Sequence, residues 1–246
     1  MKRKIPVAVL CAAALLLETC ARQPAPEAFV PSGTTILAGA ELDRLRASPV
    51  YPHLPESAKA LLQPFAEARS VLFAADGGSL LAILQGPFHT PPSGATMATP
   101  GIALAGPAEA IHAALAQQKS GVSGATALLA RAQPLRGANE IWVVMRGGNA
   151  LPLTGNYANL NRLLRNTQFT TLTMRLTDPV ALAATAETGN DAAASEIEQT
   201  LRAMITLSAA AAPRDASLLH SIRIQRQGGS VHATASVPVS ALGSLF

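Results

Sequence analysis

The clearest pattern in the chain is a strict alternation of apolar and polar side chains between residues 171 and 176. The apolar positions are Leu172, Met174 and Leu176, and the polar positions are Thr171, Thr173 and Arg175. A period of two predicts a strand that buries one face. The same period recurs over 222–226 and 231–237, on either side of Gly228-Gly229, and predicts a β-hairpin there.

Shorter apolar runs predict the remaining strands. Residues 70–75 and 79–85 flank Asp76-Gly77-Gly78, which is typical of a hairpin turn. Residues 180–185 are expected to pair with the alternating segment. Further strands are predicted over 34–38, 102–105 and 140–146, and the polar, Pro-rich stretch 89–100 is predicted to be a loop.

A spacing of three to four residues predicts helices between these strands. The longest covers 191–211, where Ile197, Leu201, Met204, Ile205 and Ser208 share one face. Shorter helices are predicted over 41–47, from Pro55 with Ala58, Leu61, Leu62 and Phe65 on one face, after Pro107, around Leu128, over 157–165 and over 239–245.

The order of these elements favours an α+β fold with antiparallel sheets built from hairpins and helices packed on one face. The succession strand, helix, hairpin, helix occurs from 34 to 118 and again from 140 to 211. We therefore expect one domain over 34–246, with an internal duplication into half-repeats 34–118 and 140–246.

The N-terminus has the form of an export signal. Three basic residues, Lys2-Arg3-Lys4, precede 13 mainly apolar residues from Ile5 to Leu17. Thirteen helical residues span about 20 Å, which is less than the roughly 30 Å hydrocarbon core of a bilayer. Residues 1–19 are therefore interpreted as a cleaved signal peptide rather than as a permanent membrane span.

The segment Leu17-Glu18-Thr19-Cys20 resembles the lipobox of bacterial lipoproteins, in which Leu stands three positions before a lipidated Cys. Glu18 and Thr19 depart from the small residues usual in that motif. The resemblance implies a lipid on Cys20 as the new N-terminus, and Ala21 in place of the family's inner-membrane retention Asp implies the outer membrane. The alternative is cleavage after Ala21, which would give a soluble secreted protein.

Residues 20–33 would then join the anchor to the domain. Pro24 and Pro26 favour an extended chain of about 3.1 Å per residue, with few side chains to bury. Such a spacer would hold the domain clear of a membrane surface.

Composition excludes several classes of function. The net charge is +4, but the predicted signal supplies half of it. The only lysines after the signal are Lys59 and Lys119. Without clustered basic residues, a nucleic-acid partner is not expected. Cys11 and Cys20 are the two cysteines, so the processed chain has no disulfide of its own and no cysteine-based metal site.

No catalytic, cofactor or metal site is predicted. The five histidines (His53, His89, His112, His220 and His232) lack a recognised ligand spacing, and His232 is assigned to a polar strand face. Ser123 lacks the glycine spacing of a nucleophile elbow. Gly101 and Gly106 lack the lysine of a phosphate loop, and Glu196 and Glu198 cannot share a helix face. Trp142 is interpreted as a sheet residue.

Three hypotheses remain for the function. The first is a non-enzymatic envelope protein, held at the membrane by its lipid, that binds or scaffolds another envelope protein. The others are a periplasmic or secreted hydrolase with a site assembled from distant residues, and a small-ligand binding module. The segments Leu42-Asp43-Arg44-Leu45-Arg46 and Ile141-Trp142, with the exported N-terminus, loosely resemble uncharacterised bacterial envelope proteins. That resemblance supplies no catalytic residues.

Overall fold

The structure is a computed structural model that describes residues 24–148, 165–211, 219 and 221–242. The predicted signal peptide, Cys20, nearly all of the helix expected over 157–165, His220 and residues 243–246 lie outside the described residues.

One antiparallel sheet of ten strands organises the described residues, in the order β4-β5-β3-β2-β1-β6-β7-β8-β10-β9. The strands are β1 (Ile36–Glu41), β2 (Ser70–Ala75), β3 (Leu80–Gln85), β4 (Thr96–Thr99), β5 (Ile102–Ala105), β6 (Ile141–Arg146), β7 (Phe169–Arg175), β8 (Val180–Glu187), β9 (Arg223–Gln227) and β10 (Ser230–Val237). Every neighbouring pair runs antiparallel.

The strand order repeats outward from the centre of the sheet. Strands β1 and β6 pair with each other, and the order is β1-β2-β3-β5-β4 on one side and β6-β7-β8-β10-β9 on the other. An internal duplication would produce such an order, and the half-repeats stay a prediction. The helices do not repeat in the same way. The long helix lies between β8 and β9, whereas the corresponding strands β3 and β4 follow each other without a helix.

Six α-helices accompany the sheet in the described part of the chain. They are α1 (Leu42–Ala47), α2 (Glu56–Leu62), α3 (Ala108–Ser120), α4 (Thr126–Ala132), α5 (Asp191–Ala211) and α6 (Val239–Leu242). Short 3₁₀ turns span Pro26–Phe29, Tyr51–His53 and Gln63–Phe65. The expected α+β class and antiparallel sheet are confirmed.

The main core lies on one face of strands β1 to β6. Trp142, Leu37 and Ile83 are at most 1% exposed and pack against Phe29 and the apolar sides of α3 and α4. Gly39 lies opposite Trp142 in the register, which leaves room for the indole ring over β1.

The other face of the sheet carries helices as well, so the expectation of helices on a single face is wrong. Leu42 of α1 packs with Val71 and Leu84, and Ile197 of α5 packs with Ile224 and Val231. The physical reason is visible in β2 and β3, which are continuous apolar runs rather than alternating ones and are buried on both sides.

The spacer predicted over residues 20–33 is not extended along its whole length. Pro26–Phe29 form a 3₁₀ turn, and Phe29 and Val30 are fully buried in the main core. The folded domain therefore begins before residue 34, because these two apolar side chains are part of its core.

Two further local predictions need correction. Strand β4 lies within the stretch predicted to be a loop, where it pairs with β5 through a register shift between Met97 and Thr99. Leu61 was expected on the buried face of its helix but is 74% exposed, because the helix ends at Leu62 and a 3₁₀ turn follows. None of the described helices combines the length and apolar character needed to cross a membrane.

Candidate functional site

An apolar groove of about 420 Å³ lies on one face of strands β6, β7, β8 and β10. The cross-strand register builds it from two parallel rows of side chains. The rows are Val143, Leu172, Ala184 and Ala233, and then Ile141, Met174, Leu182 and Ala235.

The depth of the groove follows from the residue sizes in these rows. The positions on β6 and β7 are large, whereas three of the four positions on β8 and β10 are alanines. Alternation with a period of two places all of them on the same face. The large side chains of β6 and β7 therefore form a wall along one side of the groove, and the alanines of β8 and β10 form its floor. Ile222 lines the side opposite this wall.

Packed clusters close both ends of this groove. At one end Leu45, Val50 and Val239 cover Leu176 and Val180. At the other end α5 covers Ile224 and Val231 through Ala194 and Ile197. Between the clusters, Leu172 remains 38% exposed although it lies in an interior strand of the sheet. An apolar concavity of this kind is typical of a binding surface.

The opposite face of the same strands is polar. It forms a trough of about 640 Å³ over β7, β8, β10 and the start of β9. Threonine, serine and alanine side chains make its floor, and Arg175 and Arg223 lie at its two sides. No Asp or Glu is among the described residues that line it.

A buried carboxylate ties α1 to the sheet near one end of the groove. Glu140 accepts the backbone N–H of Leu176 at 2.7 Å and forms an ion pair with Arg44. The same guanidinium donates to the Gly137 carbonyl oxygen. The two charges pair with each other, and the buried N–H donates to Glu140. This cluster therefore stabilises the fold.

The three described groups with displaced pKa values lie away from the groove. Burial raises the pKa of Glu41, with Arg44 opposing it and Asp43 adding to it. Burial lowers the pKa of Arg136. The backbone N–H groups of Gly78 and Ser79 lower the pKa of Asp76 in the β2–β3 turn. None of these groups lines the groove, and no ionisable side chain is among the described residues of its lining.

The residues weighed as catalytic candidates do not meet. Ser123 lies in the connection between α3 and α4, and Glu198 pairs with Arg202 and Arg226. His232 lies on the polar strand face as expected, where its Nδ1 is 3.0 Å from the Thr185 hydroxyl. Among the described residues no carboxylate bonds to that ring, and no three His, Cys, Asp or Glu side chains group as metal ligands.

Trp142 lies in the covered core rather than in the groove. Its ring is 1% exposed, and its Nε1 has no hydrogen-bond partner among the described residues. It borders a cavity of about 330 Å³ together with Glu27, Arg136 and residues of α4.

Two solved structures resemble this chain along nearly its whole length. Crystal form III of TP0453 superposes with a TM-score of 0.52 at 10% identity, covering 90% of this chain and 97% of the other. Crystal form I gives 0.48 at 12% identity, with coverages of 91% and 97%. At such identities the likeness to form III concerns the fold alone. No family model and no curated protein sequence matches the chain.

Proposed function

We propose that this chain is an exported, lipid-anchored envelope protein with a non-enzymatic binding role, and that the apolar groove is its binding site. The observation that carries the proposal is the exposed apolar floor of the groove. Leu172 is 38% exposed on an interior strand and Met174 on the same face is partly buried, with no titratable group among the described residues around them.

The shape of the groove favours a small apolar ligand. A volume of about 420 Å³ falls within the range of small-molecule sites, roughly 300–1,000 Å³. A flat apolar patch would have favoured a protein partner, and convergent polar groups would have favoured an enzyme. Ile141, Met174 and Leu182 offer contact area without hydrogen-bonding groups, so binding would be driven by removal of apolar surface from water.

The proposed lipid anchor would determine where in the cell envelope this binding takes place. A lipid on Cys20 would hold the domain, and with it the groove, near a membrane, where apolar small molecules concentrate. By the lipobox resemblance the membrane is the outer one. Scaffolding of another envelope protein is the second candidate, and the exposure of Leu172 within a continuous apolar row is the observation that favours it.

A charge placed in the groove is expected to abolish ligand uptake. The probe is N-phenyl-1-naphthylamine, an uncharged dye that fluoresces in apolar surroundings, titrated into the full chain carrying Cys20→Ala so that no detergent is needed. Adding Leu172→Glu should weaken dye binding at least tenfold, about 1.4 kcal/mol, because the dye would have to desolvate a carboxylate.

The matched control is Leu80→Glu. Leu80 is a 54% exposed leucine of β3, in the same sheet but outside the groove, so the same charge there should leave dye binding unchanged. Equal binding by both variants would contradict a ligand site in the groove. If the parent chain does not bind the dye, the small-ligand role is contradicted, and the groove would instead be covered by a protein partner or by a segment of the chain itself.

A further inference from the structure

The polar trough on the other face of the sheet has the features of an anion site. Arg175 ends β7 and Arg223 begins β9, and both side chains are exposed on the trough face. Strands β8 and β10 lie between them, so the two strands that carry the arginines are three spacings apart, about 14 Å. The two cations thus border one trough from opposite sides.

The two arginines differ from most others in the described part of the chain. Arg44, Arg46, Arg131, Arg136, Arg202 and Arg226 each pair with an Asp or Glu side chain. Within the described residues Arg175 and Arg223 form no such pair, and no acidic side chain lines the space between them. Their ten N–H donors are available to a ligand.

The floor between the arginines is low and offers hydroxyl groups. One cross-strand row runs Thr173, Ala183, Thr234 and Arg223, and the neighbouring row runs Arg175, Ala181 and Ser236. Alanine methyl groups in the middle leave the volume of the trough open, while Thr173, Thr234 and Ser236 place hydroxyl donors along it.

The number of donors distinguishes between anions. A carboxylate has two oxygens and one charge, which a single guanidinium can satisfy with a bidentate pair. A phosphate group offers three or more oxygens and up to two charges, so it can accept from guanidinium and hydroxyl donors together. Arginine is also suited to phosphate because its planar fork matches two oxygens at once.

We infer that the trough between Arg175 and Arg223 binds a phosphate-bearing molecule, with the hydroxyls of Thr173 and Thr234 as further donors. This site is separate from the proposed apolar site, because the two open on opposite faces of the same strands. The phosphate could belong to a free molecule or to a lipid headgroup, and both present the same chemistry to the arginines.

Pyrophosphate is the probe for the free form. Isothermal titration of the full chain carrying Cys20→Ala is expected to show one binding event. Arg175→Gln and Arg223→Gln should each weaken it at least tenfold, since each removes one of the two charges that face the trough. Vesicles of phosphatidylcholine with and without 30 mol% phosphatidylglycerol test the headgroup form by co-sedimentation.

Arg69→Gln is the matched control, because Arg69 is an exposed arginine outside the trough. It should change binding less than twofold. Binding of pyrophosphate that is lost in both trough variants supports the site and assigns a free phosphate compound. Loss confined to phosphatidylglycerol vesicles supports it and assigns a lipid headgroup.

Failure of both probes to bind would overturn the inference. So would an equal loss in Arg69→Gln, because binding would then follow total charge rather than the trough. Leu172→Glu, on the opposite face, should leave pyrophosphate binding intact whether or not the apolar groove takes a ligand, so the two proposals fail separately.

Discussion

Replacing Cys20 with alanine is expected to move this protein from the membrane fraction to the soluble fraction and to remove the mass of its acyl groups. The proposed anchor depends on this one thiol, because lipid attachment in the lipobox family occurs at the cysteine itself. Intact-mass measurement of both fractions checks the prediction.

Cys11→Ala is the matched control, since Cys11 is the other cysteine of the chain and lies within the apolar part of the predicted signal. Alanine keeps that segment apolar, so export and lipid mass should be unchanged. If Cys20→Ala leaves both mass and location as they are in the parent protein, the lipid anchor is contradicted. Plain secretion after cleavage at Ala21 would appear as protein without acyl groups in the soluble fraction, for the parent protein and for Cys20→Ala alike.

Gly39→Ala is expected to lower the free energy of unfolding by about 3 kcal/mol, the upper part of the range for overpacking a core. A Cβ at this position would lie 2.3 Å from Cζ2 and 2.7 Å from Nε1 of Trp142. The indole is 1% exposed and packs within the main core, so any shift of the ring would disturb its neighbours. Trp142 is the only tryptophan, so its emission during urea unfolding measures the loss directly.

Gly33→Ala is the control, because nothing lies within 4 Å of the added methyl group there, and its stability should match the parent. The cause can be tested by a double-mutant cycle followed by circular dichroism. In a Trp142→Phe background the cost of Gly39→Ala should fall, since the smaller ring leaves space for the methyl group. An equal cost in both backgrounds would mean that the indole is not what excludes the methyl group.

The class of the fold could be predicted from the sequence because its strands carry local signals. Alternation over 171–176 and the glycine turns at Gly77 and Gly228 gave the hairpins, and the three-to-four spacing around Ile197 gave the long helix. These patterns depend on neighbours in the chain. They place each side chain on a face of its own element without reference to the rest of the molecule.

The arrangement of helices could not be predicted in the same way. An apolar run such as 81–84 is buried on both sides only when two layers cover it, and those layers come from distant segments. Strand β4 was missed because Met97 is the only large apolar residue in its four positions, Thr96-Met97-Ala98-Thr99, which follow a Pro-rich loop. Its strand conformation depends on pairing with β5.

Both candidate sites were missed for a related reason. The sequence assigned Leu172 and Met174 to an apolar face, which is ordinarily a buried one. It could not show that the two packed clusters leave Leu172 outside. Arg175 and Arg223 were each assigned to a polar face. Their position at the two sides of one trough depends on the order β7-β8-β10-β9, which no local pattern encodes.

The apolar groove is the central claim, and the methionine methyl groups test it without any change to its lining. In the full chain carrying Cys20→Ala and ¹³C-methyl methionine, titration with N-phenyl-1-naphthylamine should shift the Met174 signal saturably. Met97 packs at the far end of the sheet and should not move. A Met174 signal that stays in place while the dye binds, or equal shifts of Met97 and Met174, would contradict the account.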